Sequence, residues 1–83
     1  MTKAQLLETF TQMSVADLTD PQADIRVSLI EKVKAYPLAE DLPFKKGVFA
    51  DLMLAASGEA VRAFKDSVEA ATVEMCKPLL ENL

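Results

Sequence analysis

The sequence predicts an all-α fold, a small bundle of three to four antiparallel helices with a kinked C-terminal extension. Three observations lead there. Twelve alanines and eleven leucines in 83 residues, with only two glycines, favour helix. Apolar residues recur at steps of three and four along most of the chain, and no strand-like alternation interrupts them. Prolines and a Ser-Gly pair fall between the periodic runs, where helices end. Eighty-three residues make one domain, 1–83, with a thin core.

The first run is "TKAQLLETFTQM". Thr2 is placed to cap it, and Leu6, Leu7, Phe10 and Met13 form one apolar face, predicting a helix near 3–13. Ser14 can cap a further turn, so a break or kink is expected there. In "TDPQADIRVSLIEKVKAY", Asp20 is placed as the cap and Pro21 at the first helical position, where its missing N–H costs nothing. Ile25, Leu29, Val33 and Tyr36 carry the stripe of a helix near 21–36, and Pro37 ends it.

"PLAEDLP", between Pro37 and Pro43, reads as an extended or turning connection anchored by Leu38 and Leu42. Asp41 is placed to cap a third helix near 43–56, with Pro43 in its first turn. That helix turns Val48, Phe49, Leu52, Met53 and Ala56 inward, and Gly47 permits a close backbone approach. Ser57-Gly58 marks the join to a last helix near 58–77 with the stripe Val61, Phe64, Val68, Ala71 and Met75. Pro78 is expected to kink or stop it near Lys77, yet Leu79, Leu80 and Leu83 continue in phase.

The stretch "AASGEAVRAFKDSVEAATVEM" raises two functional readings, and both fail. As a helix–turn–helix, its second helix would show Glu59, Arg62, Lys65, Asp66 and Glu69 to DNA. Three carboxylates against two cations repel phosphate, and the chain's net charge of −4 gives no basic footprint elsewhere. "DSVEAATVEM" resembles, over about ten residues, the Asp-Ser-Leu pattern of acyl carrier proteins, whose serine takes phosphopantetheine. Here Val68 replaces the leucine, and Ser67 stands sixteen residues from the last residue, without space for the helices that should follow. Ser67 also falls inside a helix rather than at its start, so the resemblance does not carry over. What is left is a packing helix.

Catalytic chemistry is poorly supplied. The absence of histidine removes the commonest general acid–base and zinc ligand. Cys76 has no second thiol for a disulfide or structural zinc site and reads as a small buried residue. Two glycines eleven residues apart make no phosphate loop, and no acidic run has EF-hand spacing. No cofactor or metal is expected. The first twenty residues lack a signal-peptide pattern and no stretch approaches a membrane span, so a cytoplasmic protein is expected, in keeping with the lone thiol.

A composition 51% hydrophobic slightly exceeds what so small a core hides, which predicts an apolar face for another protein or for self-association. The residues singled out for partner binding are Leu38, Leu42, Phe44, Lys45 and Lys46 in the middle, and Leu79, Leu80 and Leu83 in the C-terminal "PLLENL". Lys45 and Lys46 open a helix, where the macrodipole disfavours cations and an acidic partner segment would be held. The leading expectation is a non-enzymatic interaction module, an adaptor or an inhibitor that masks a partner surface. One alternative is a homo-oligomeric assembly subunit using the C-terminal leucines. A weaker one is an acidic decoy of nucleic acid.

Overall fold

A computed structural model describes residues 1–60 and 68–83, with side chains over 1–58 and 72–83. Its described residues form four helices: α1 (Lys3–Gln12), α2 (Asp20–Ala35), α3 (Lys46–Ala60) and α4 (Val68–Asn82), with a 3-10 turn at Val15–Asp17. No strand occurs among them. The antiparallel bundle has a radius of gyration of 12.0 Å, close to the ~12 Å expected of a compact chain this long. Helix α2 packs against each of the other three.

The start of α1 accounts for all four N–H groups that a helix leaves unpaired. Lys3 N–H donates to Leu42 O at 3.2 Å and Ala4 N–H to Glu40 O at 3.0 Å. Gln5 N–H donates to Thr2 Oγ1 at 3.1 Å. Gln5 Oε1 in turn accepts from Thr2 N–H at 2.9 Å, completing a capping box. Leu6 and Phe10 are buried and Leu7 and Met13 half-buried, as the stripe predicts. The break after Met13 is present, although Ser14 makes no side-chain cap.

Helix α2 begins one residue earlier than expected. Thr19, extended at φ −69° and ψ 163°, is the cap, and its side chain accepts from Gln22 N–H at 3.4 Å. Gln22 Oε1 accepts from Thr19 N–H at 3.1 Å, so Gln22 selects Thr19 over Asp20 through a second capping box. Asp20 instead supplies charge to the first turn, with Lys32 and Lys34 in the last, both matching the macrodipole. Ile25, Leu29 and Val33 are buried and Tyr36 is half-buried.

The expectation that Asp41 and Pro43 open the third helix is corrected: α3 starts at Lys46. Residues 40–44 are committed elsewhere. Glu40 and Leu42 give their carbonyls to α1, Phe44 N–H donates to Met1 O at 2.9 Å, and Pro43 pairs in an antiparallel bridge with Thr2. The third helix also does not stop at Ser57-Gly58 but continues to Ala60. Gly58 keeps a negative φ, and the Ser57 hydroxyl donates across to Thr72 Oγ1 at 3.0 Å, leaving no αL cap to end the helix. A Cβ built at Gly47 would meet nothing within 4 Å, so no close approach within the chain depends on that glycine. Val61 and Phe64, assigned to the last stripe, lie outside the described residues, as does Ser67.

Helix α4 runs through Pro78 to Asn82 instead of ending near Lys77. An interior proline costs about 3 kcal/mol, and burying a leucine returns about 1.5–3 kcal/mol. Leu79, 2% exposed, supplies that burial. The core joins Leu6 and Phe10, Ile25, Leu29 and Val33, Phe44, Phe49, Met53 and Ala56, and Met75, Cys76 and Leu79. Through it runs an aromatic chain: Tyr36 to Phe44 at 5.4 Å, Phe44 to Phe49 at 6.4 Å, Phe49 to Phe10 at 6.2 Å.

Candidate functional site

The α3 sequence is apolar on more than its core face. Phe49, Met53 and Ala56 point inward, while Ala50, Leu54 and Ser57 follow at helical spacing on the side toward α4. On α4, Thr72, Cys76 and Leu79 are buried, and Val73 and Leu80 lie one row out. Between these rows lies an open groove of about 230 Å³ lined by Ala50, Met53, Leu54, Ser57, Thr72, Val73 and Leu80. Leu54 is 71% exposed and Val73 51% exposed. Among the described residues, no lining side chain is charged. The one polar feature of these lining residues is the Ser57–Thr72 hydroxyl pair, with Thr72 2% exposed.

A second crevice, about 260 Å³, is lined by Tyr36, Leu38, Pro43, Lys45 and Val48 at the start of α3. It collects part of the sequence-predicted set. Leu38 is half-buried against the core, Lys45 is exposed at the rim, and Lys46 is exposed as the first residue of α3. Leu42 is exposed beside them, its carbonyl held by Lys3.

Two of the predicted partner-binding residues are core residues instead. Phe44, 2% exposed, packs its ring between those of Tyr36 (tilted) and Phe49 (edge-on), and Leu79 is 2% exposed on the inner face of α4. Neither side chain is at the surface, because each packs into the shared hydrophobic core. Leu80 lines the α3–α4 groove, and Leu83 packs half-buried on the core with its N–H donating to Leu79 O at 3.1 Å. The predicted set therefore divides between two places and is not brought together.

Leu54 and Val73 were not singled out by the sequence. Their signal is the residue that breaks phase: Leu54 is adjacent to the core Met53, one step off the stripe, and Val73 adjoins Thr72. Cys76 is buried, and burial pushes its thiol up from 9.0 to about 12, far from a reactive thiolate. Among the described residues no three acidic or thiol groups stand together to hold a metal ion, and no helix is long and apolar enough to cross a membrane. Compared with protein-family models, curated proteins and solved structures, the chain matches none.

Proposed function

We propose that the chain is a non-enzymatic protein–protein interaction module, an adaptor or an inhibitor masking a partner surface, that works through the α3–α4 groove. The observation that carries this reading is Leu54, 71% exposed at the lip of a groove whose described lining residues are uncharged. A folded chain gains nothing from holding a leucine in water, whereas a partner side chain covering it removes that apolar area. The groove falls below the ~300 Å³ of ordinary small-molecule sites, and its described lining offers one hydroxyl pair to orient a ligand, which favours a protein side chain as occupant. A reducing cytoplasm suits a chain whose one cysteine is buried and reduced.

The test places a photo-crosslinking amino acid at Leu54 in the native host, with the same group at exposed Glu8 as control. The reading expects a discrete protein adduct at 54 that is absent at 8 and is lost when Val73→Glu is added. Equal labelling at both positions, or none at 54, overturns it.

A further inference from the structure

The charged residues nearest the groove on its two lips, Asp51 and Lys77, are opposite in sign, with exposed Glu74 and Glu81 further round α4. On α3, exposed Asp51 stands three residues before Leu54, so the two share a face. On α4, exposed Lys77 stands four residues after Val73 and three before Leu80, bordering the other lip. Neither charge is in an ion pair among the described residues.

Their levels along the groove also agree. The Ser57–Thr72 bond puts those two residues side by side. From there Asp51 is six residues, roughly 9 Å, back along α3, and Lys77 is five residues, roughly 7.5 Å, forward along α4. Because the helices are antiparallel, both displacements run the same way, and the anion and cation lie at nearly one height on opposite lips.

We infer that the groove's occupant is a second copy of this chain, docked by a two-fold axis running along the groove. This rests on the groove's being a protein-docking surface, as read above, and takes self-association as its use. Such an axis preserves height and exchanges the lips. It sets α3 of one copy antiparallel to α4 of the other, with Asp51 of each facing Lys77 of its mate and Leu54 covering Val73. Exposed Gly47 and Gly58, beside which a Cβ would meet nothing within 4 Å, let the mate's helix approach α3 closely. Two helices of 15 residues, each about 22 Å long and about 9 Å apart, present roughly 400 Å². That is half of the ~800 Å² that each partner buries in a standard interface, so the dimer is weak and exchanging.

Sedimentation equilibrium from micromolar to millimolar chain tests the pairing by charge exchange. Wild type shows monomer–dimer exchange. Asp51→Lys or Lys77→Asp sets like charges on facing lips and weakens the dimer about tenfold or more. The double variant D51K/K77D restores it, and mixing the two single variants yields a heterodimer, because each then supplies what the other lacks. Circular dichroism confirms that each variant is folded. A wild type monomeric throughout, with the Leu54 crosslinker capturing a different protein, overturns the second copy while the interaction reading stands. A monomer with no adduct overturns both. A dimer indifferent to the charge exchange overturns this arrangement.

Discussion

Lys3 Nζ donates to Tyr36 O at 2.7 Å, so the first residue of α1 closes the end of α2. The same ammonium reaches Lys34 O at 3.1 Å and Leu38 O at 3.2 Å, and Lys3 is only 7% exposed. At the other end of the pair, Arg26 Nε donates to Phe10 O at 2.9 Å and closes α1 from the middle of α2. Each helix thus supplies the cation that the other's C-terminal carbonyls require, the favourable sense of the macrodipole. This exchange fixes the two helices antiparallel and draws the 38–44 connection onto α1.

Replacing Lys3 by Met keeps the apolar stem and removes three charge-assisted bonds. Urea denaturation is expected to show a loss of about 2–3 kcal/mol. Lys34→Met, at an exposed position, is expected to stay within about 0.5 kcal/mol. Arg26→Met costs about 1–2 kcal/mol, and the double variant is additive to about 0.5 kcal/mol, because the two cations share no partner. A Lys3→Met protein as stable as wild type would show that water replaces the ammonium without loss.

Neither glycine has a structural duty in its helix. Both keep negative φ and have room for a Cβ, so Gly47→Ala and Gly58→Ala are each expected to add about 0.5–1 kcal/mol and raise Tm. A fall in Tm for either would reveal a close contact at that site.

Pro78 deprives Glu74 O of its helical donor inside α4. Pro78→Ala restores the N–H and raises helix propensity, offset in part by a freer unfolded chain. The net expectation is a gain of about 2 kcal/mol in thermal or urea unfolding. If stability drops, Pro78 is setting the direction in which Leu79 enters the core.

The Cys76 thiol, raised by burial from 9.0 to about 12, binds its proton more tightly folded than unfolded. Its contribution to stability is therefore intact below about pH 9 and declines as pH rises toward 12, at up to about 1.4 kcal/mol per unit. Cys76→Ala loses some packing at all pH values but lacks this slope. Other alkaline-titrating groups are common to both proteins, so the difference between the two stability–pH curves isolates the thiol. In native buffer at pH 8 the thiol is expected to resist alkylation until the chain unfolds.

The core stripes were legible because periodicity records which face of a helix meets other helices. Leu6 and Phe10, Ile25, Leu29 and Val33, and Phe49, Met53 and Ala56 all follow from steps of three and four. Helix boundaries were less so. Thr19 and Asp20 are both good caps, and only the bond to Gln22 decides between them. Ser57-Gly58 carries the composition of a break, yet the bond from Ser57 to Thr72 and the packing of Ala56 keep the helix going. The candidate groove was the least legible part. A leucine beside a core methionine looks alike whether it faces solvent or protein, and its exposure depends on where α4 lies.

Composition, period and the four proline positions by themselves determined a helical bundle of net negative charge without histidine, since each follows from residue type and local spacing. Tertiary structure alone decided that Lys3 and Arg26 cap each other's helices, that Phe44 and Leu79 are interior, and that Leu54 and Val73 border one groove. These relations join residues that are distant along the chain. Local propensity carries no information about which distant carbonyl, ring or lip a side chain will meet.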